Sequence, residues 1–361
     1  MARTYTFSSD FIKRFKGYLS SKEYGKASAF SKSEYWQMHA SMLDVKIRGN
    51  KVNIDGKSGF YVPPESTFIA RLVRKIKHLI KEPSKLYYYL KGKMTSSPLK
   101  YLSFHKAFDA VMKHDVMAEV VLSPSRINFL KIGLKEEIIT SFKEMEQVFF
   151  AKAKYSLNPQ MIYAYYHQNI LFGYTNPEKF QTIVEIGAGN GNFAGLLKNS
   201  LPKCKYIIVD LPETIAVSIP FLADLYPAAK ILMPQEANKS NMSEHYDFVF
   251  ITPEQIQLLE NDTVDLFVNI MSFMEMTKRQ RGVYFELIQR CAKHDSYFFT
   301  VNDVEKIPIA TDLDIECLEP PNRFSEYPWN SQNETILYEI CRFLRLTGMV
   351  EVFNRLEKIK K

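Results

Sequence analysis

The sequence predicts an α/β fold: a doubly wound, mostly parallel sheet with helices on both faces, preceded by a mainly helical region. Three observations predict it. Residues 182–186 are a short apolar run that meets a glycine-rich turn, Gly187-Ala188-Gly189-Asn190-Gly191. About twenty residues further on, where an α/β unit returns to its sheet, Tyr206-Ile207-Ile208-Val209 is a second such run and ends on Asp210. Beyond it, apolar runs alternate with helix-like stretches to residue 301. β-Branched apolar runs of this kind are strands buried on both faces. Their alternation with helices gives right-handed βαβ units and a parallel sheet.

The elements follow in order. Residues 1–155 contain no strand with a glycine loop and read mainly as helices with a few extended pieces, punctuated by Pro63-Pro64, Pro83, Pro98 and Ser123-Pro124-Ser125. A helix is expected over 135–153, with Ile138, Ile139, Phe142, Met145, Val148 and Phe149 on one face. The division is therefore drawn as 1–155, a basic helical region for substrate, partner or oligomer contacts, and 156–361, the sheet domain. Asn158-Pro159 opens a helix over 160–172. Pro212-Glu213-Thr214 opens another that Tyr226-Pro227 stops. A third strand is expected at 246–251, with Thr252-Pro253-Glu254 capping a helix after it. The fourth strand is 264–270, the next helix 278–293 and the fifth strand 297–301.

Charge and cysteine usage narrow the class. The formal net charge is +7, and part of the excess is local: residues 71–93 carry Arg71, Arg74, Lys75, Lys77, Lys81, Lys85, Lys91 and Lys93 against Glu82 alone. Leu72, Val73, Ile76, Leu79 and Ile80 recur among them at helical spacing. The stretch is either a solvated helix face or a surface for an anion such as a membrane headgroup, a lipid-linked pyrophosphate or a nucleotide sugar. No nucleic-acid-binding motif accompanies the charge, so nucleic acid is not expected. No segment reaches the roughly 18–20 apolar residues of a membrane span, and the N-terminus lacks a signal-peptide core. Cys204, Cys291, Cys317 and Cys341 are scattered without a C-x-x-C pair, which argues against zinc and a disulfide framework. A cytoplasmic protein, peripheral at most to the inner face of a membrane, is expected.

The glycine loop says what kind of ligand to expect. The spacing Gly187-x-Gly189-x-Gly191 departs from the pyrophosphate-cradling G-x-G-x-x-G by one residue. Glu185 precedes it, and a carboxylate there repels a pyrophosphate but suits an ammonium group. Asp210 sits where a ribose diol would be hydrogen-bonded. The pattern E-x-G-x-G-x-G resembles motif I of the class I S-adenosylmethionine-dependent methyltransferases, a Rossmann-like fold, and Asp210 resembles their ribose-binding acid. Three further runs sharpen the likeness: Asp210-Leu211-Pro212-Glu213, Asn269-Ile270-Met271-Ser272-Phe273-Met274-Glu275-Met276 and Tyr327-Pro328-Trp329. Together they resemble the bacterial sugar O-methyltransferase family, associated with surface-polysaccharide modification, over residues 130–345. The resemblance implies S-adenosylmethionine as cofactor and a saccharide acceptor that is free, nucleotide-linked or lipid-linked.

On that basis Glu185, Gly187, Ala188, Gly189, Asn190, Gly191, Asp210, Leu211, Thr252, Pro253 and Asn269 are expected at the cofactor, with Thr252 and Pro253 near the adenine. Glu275 or His167 is expected to take the acceptor's hydroxyl proton. Ser272 and Glu275 also spell a helix capping box, and His167 reads equally as a core or helix-surface histidine. Ser272, Asn302, Asp303, Arg323, Tyr327 and Trp329 are expected to bind the acceptor. Asn302 and Asp303 leave the fifth strand at the ligand edge, and an arginine among aromatic faces suits a sugar ring bearing an anionic group. The aromatics equally fit a loop pinned to its core. No metal is expected. His245 and His294 lie at the opposite edge of the sheet. A non-catalytic methyltransferase-fold scaffold in a glycan-assembly complex, a methyltransferase of a non-sugar small molecule, and a nicotinamide-dependent oxidoreductase are the alternatives. The glycine spacing speaks against the last.

Overall fold

The computed structural model describes residues 3–25, 43–56, 159–306, 321–341 and 352–361. Residues 1–61 and 163–361 form one compact unit and 62–162 a second. Nearly all of the second, including the basic stretch 71–93 and the helix expected over 135–153, lies outside the described residues.

The first unit begins with strand β1 (Arg3–Thr6), helix α1 (Ser9–Leu19) and the single turn α2 (Lys22–Gly25). Ser8 accepts a hydrogen bond from the Phe11 amide and so starts α1, which buries Ile12, Phe15 and Tyr18. Strands β2 (Leu43–Arg48) and β3 (Lys51–Gly56) complete an antiparallel sheet of order β1-β3-β2. Gly49, at φ 59°, supplies the left-handed turn between them. The period-two pattern of Leu43-Asp44-Val45-Lys46-Ile47 before Arg48-Gly49-Asn50 is the sequence signal for this hairpin.

Helix α3 (Pro159–Tyr174) leads into the large sheet. Its elements are β4 (Thr182–Ile186), α4 (Asn192–Ser200), β5 (Lys205–Val209), α5 (Pro212–Leu225), β6 (Ile231–Leu232), α6 (Lys239–Ser243), β7 (Phe248–Ile251) and β8 (Val264–Ile270). After them come α7 (Lys278–Cys291), β9 (Ala292–Asp303), the short pair β10 (Glu305–Lys306) and β11 (Asn322–Arg323), then β12 (Glu334–Ile340) and β13 (Val352–Lys358). The order is β12-β13-β9-β8-β4-β5-β7-β6. Strands β4 to β9 pair in parallel, while β13 runs against both β9 and β12. This is the doubly wound, Rossmann-like α/β domain that the sequence predicts.

Register divides the side chains between two faces. Ile183, Glu185, Tyr206 and Ile208 share one, which α3, α4 and α5 cover: His167 meets Phe299, Lys198 lies over Phe248, and Tyr226 packs on Phe248. Val184, Ile186, Val209, Ile251, Phe267 and Phe298 share the other and pack on Met242, Tyr284, Leu287 and Ile288 of α6 and α7. Both faces are dry, which explains the unbroken apolar runs.

Several elements differ from expectation. The helix expected after Thr252 is a six-residue 3-10 helix, Pro253–Leu258, closed by reciprocal Thr252–Gln255 bonds. Strand β9 runs well past both ends of the run 297–301. Strand β13 has no apolar run because buried Asn354 and Glu357 interrupt it; Glu357 is held by Arg355 at 2.6 Å and by Asn333 at 3.1 Å.

Candidate functional site

The order of the sheet reverses at β4, whose neighbours are β5 and β8. Ligands of open α/β sheets sit in the crevice outside the carboxyl ends at such a reversal. The glycine loop leaves β4 there. Gly187, Gly189 and Gly191 have φ of 74°, 60° and 85°, a region that residues with a Cβ rarely adopt. The Gly187 amide donates to the Val209 carbonyl at 2.8 Å, so the loop is tied to β5 as it turns. A Cβ on Gly187 would stand 2.1 Å from Ser272 Oγ. Gly191 begins α4 without a side-chain cap, and Asn190 Oδ1 accepts from the Asn192 amide at 3.2 Å.

Asp210 faces this loop from the end of β5. Its Oδ2 accepts from the Gly189 amide at 2.8 Å and its Oδ1 from the Leu211 amide at 2.7 Å. Burial pushes its carboxyl up to about 7, against the pull of those two amides, and Glu275 and Glu213 push in the same direction. The acid expected at the cofactor and the acid expected at the acceptor thus repel each other. Glu185 lies on the adjoining strand, buried, with Oε2 accepting from the Tyr206 hydroxyl at 2.8 Å. Burial raises this carboxyl to about 8.

The turn after β8 forms the other wall. Asn269 Nδ2 donates to the Ile186 carbonyl at 2.8 Å and to Ser272 Oγ; Ser272 Oγ donates to the same carbonyl at 3.1 Å. Asn302 Nδ2 donates to Asn269 Oδ1 at 2.8 Å, while its Oδ1 accepts from the Met274 amide at 3.1 Å. Asn322 Nδ2 donates to the carbonyls of Phe273, Met274 and Met276. Three buried asparagines thus lock the 3-10 turn Phe273–Glu275. Met271 enters it at φ 58°, a conformation that costs a residue with a side chain about 1–2 kcal/mol. Glu275 is presented at its end, 3.3 Å from Lys306 Nζ.

The structure brings Glu185, the glycine loop, Asp210, Leu211, Asn269, Ser272 and Glu275 together, and it departs from several expectations. Ser272 caps no helix: its hydroxyl is turned to Ile186, and the capping box belongs to Thr277 and Gln280. Asn269 and Asn302 have no exposed surface and spend their amides on the turn, so they shape the wall rather than face a ligand. Thr252 and Pro253 are buried at the end of β7. His167 is a core residue, 1% exposed against Phe299; burial drops it to about 3, which keeps the ring neutral. Tyr327 and Trp329 fold into the aromatic cluster of Phe273, Phe285 and Phe324, and Arg323 is exposed between Glu305 and Glu326. These contacts engage all three side chains within the protein, the aromatic pair in the core and Arg323 in surface ion pairs. Asp303 is buried at the end of β9, its carboxyl raised by burial and lowered by Lys306.

Sequence reasoning missed Tyr206 and Asn322. Register was the signal for Tyr206, since Tyr206 pairs with Ile183, two residues before Glu185 on the same face. Nothing in the sequence marked Asn322, whose partners are backbone carbonyls. One polar group stands apart. Asn354 is wholly buried in β13, and neither amide atom has a hydrogen-bond partner among the described residues. Asn354→Leu is expected to stabilise the protein by about 1–2 kcal/mol, read as a melting temperature higher by roughly 2–6 °C. A lower melting temperature would show that Asn354 is satisfied.

No family model matches this sequence, and no curated protein matches it. Among solved structures, a SAM dependent methyltransferase from Aquifex aeolicus is similar over 61% of this chain and 97% of its own, at 15% identity and TM-score 0.34. Human N-acetylserotonin methyltransferase, solved in complex with SAM, is similar over 90% of this chain and 81% of its own, at 12% identity and TM-score 0.33. Likeness this low does not define what the present chain binds.

Proposed function

We propose that this chain is an S-adenosylmethionine-dependent O-methyltransferase whose acceptor is a saccharide hydroxyl. The observation that carries the cofactor is the Asp210 carboxyl facing Gly189 across a loop that has no room for a Cβ at Gly187. Glu213 and Glu275 add negative character around Asp210, which suits a ligand bearing an ammonium and a sulfonium. Gly187 to Gly191 would hold the methionine part, Glu185 would support it, and Asp210 would take the ribose. When bound, the cofactor supplies an electrophilic methyl group. The chain's own residues do the rest. The asparagine-locked turn orients Glu275, whose carboxylate would accept the acceptor's hydroxyl proton, and the crevice would hold the acceptor against the cofactor. The saccharide acceptor is supported by the runs 210–213 and 269–276 and their family resemblance. A cytoplasmic location, with residues 71–93 against an anionic membrane face, fits that acceptor; no described helix is long and apolar enough to cross a membrane.

Calorimetric titration with S-adenosylhomocysteine, with NAD as control, tests the cofactor. Micromolar binding of the former alone is expected; no binding, or tighter NAD, overturns the reading. Glu275→Gln is then expected to lower turnover on a responsive saccharide by at least about a hundredfold at saturating cofactor. A loss under about tenfold removes Glu275 from the proton step.

A further inference from the structure

The N-terminal helices pack on the nucleoside end of this site. Arg14 of α1 donates from Nε and a terminal nitrogen to both Glu236 oxygens, each at 2.7 Å, and to the Ile231 carbonyl at 2.6 Å. Gln235 Nε2 donates back to the Arg14 carbonyl at 3.0 Å. A two-pronged guanidinium–carboxylate pair fixes orientation as well as position. It sets α1 so that Tyr18, with no exposed surface, donates its hydroxyl to the Pro212 carbonyl at 2.7 Å. The Tyr18 ring meets Tyr24 of α2 edge-on at 5.5 Å.

Pro212 is the first residue of α5, and Asp210 lies two residues before it. Between them, Leu211 gives its amide to Asp210 Oδ1 and its carbonyl to the Ile215 amide. The Tyr18 hydroxyl therefore grips the same turn that orients the Asp210 carboxylate. The charges of Asp210 and Glu213 both act on Tyr18, and that of Glu213 acts on Tyr24 and on Asp210.

We infer that the α1–α2 pair is a built part of the cofactor site, with Tyr18 a positioning residue that orients Asp210 through the Pro212 carbonyl. The inference rests on the reading of Asp210 as a ribose-binding acid. It makes residues 9–25 part of the sheet domain's function as well as of its packing. A tyrosine that only fills the core would leave ligand affinity untouched when its hydroxyl is removed. A positioning tyrosine would not.

The experiment compares full-length wild type with Tyr18→Phe, a change of one buried oxygen. Each is titrated with S-adenosylhomocysteine and, separately, with adenosine, across the pH range on either side of neutrality. Wild-type affinity is expected to fall as pH drops through about 7, because a protonated Asp210 loses acceptors for the diol. Tyr18→Phe is expected to weaken both ligands about fivefold or more on the alkaline side, the worth of one well-aligned hydrogen bond. It is also expected to raise the pH midpoint by about half a unit, since a slackened turn gives Asp210 a poorer bond from Leu211. A lower melting temperature with affinity and midpoint unchanged overturns the inference. Adenosine separates the two readings: a wild type that binds adenosine but not S-adenosylhomocysteine ends the methyltransferase reading and leaves the role of Tyr18 measurable. A wild type that binds neither ends both.

Discussion

Gly187→Ala is expected to abolish binding of S-adenosylhomocysteine and to destabilise the fold by more than about 3 kcal/mol. Two independent costs converge on this residue. A φ of 74° strains any residue with a Cβ. The new methyl group would also stand 2.1 Å from Ser272 Oγ and 2.4 Å from Ser272 Cβ. Ser272 cannot swing away freely, because its hydroxyl is bonded to the Ile186 carbonyl and to Asn269. Relief must therefore move the glycine loop or unpick the asparagine lock. Denaturant titration measures the cost. The double variant Gly187→Ala with Ser272→Gly should relieve the overlap and keep the backbone strain. A single variant within about 1 kcal/mol of wild type, less than the backbone strain alone, would show that the loop does not lie on the β8 turn.

Asp210→Asn is expected to weaken S-adenosylhomocysteine at least about a hundredfold, the worth of two hydrogen bonds to a charged acceptor. Its effect on the ligand-free protein runs the other way with pH. The folded-state pKa is raised, from 3.8 to about 7. Stability from this group is thus fully present below pH 3.8 and is lost as pH rises through about 7. An asparagine does not titrate, so the stability of the variant relative to wild type should grow by roughly 4 kcal/mol across that window. A constant penalty lowers the variant at every pH without changing that growth, because the substituted amide has a single acceptor oxygen for the two backbone amides that the carboxylate serves. Denaturant midpoints across the window decide it. A flat difference would mean that Asp210 is charged and well solvated in the free protein.

The sheet was legible where burial on both faces wrote itself as composition. Val264–Ile270 has the predicted boundaries, and the run 182–186 with its glycines marked the reversal point. β13 was not legible, since Asn354, Arg355 and Glu357 satisfy or defy burial through partners that sequence spacing does not show. The glycine loop and the position of Asp210, where the cofactor is proposed to sit, were legible too, because glycines at positive φ and an acid at a strand end are local requirements. The acceptor side was less so. Tyr327 and Trp329 look the same in a sequence whether they face a sugar or a core, and only the packing of Phe324, Tyr327 and Trp329 against Phe273 and Phe285 sends them inward. His167 suffered the same ambiguity: α3 is apolar enough all round that no face announced itself as buried.

The Ile186 carbonyl accepts from both Asn269 and Ser272, and so holds the turn that carries Glu275. The glycine loop and the Glu275 turn are consequently a single slab, and the proposed cofactor and acceptor would rest on it together. A slab of this kind is a poor place to evolve a new acceptor, since any change that reshapes one half misaligns the other. Diversification of such a protein would have to be written overhead, in the segments that reach across the crevice, while the slab stays constant. Grafting the 269–276 turn into a related domain would then fail unless Asn302, Asn322 and the glycine loop travelled with it.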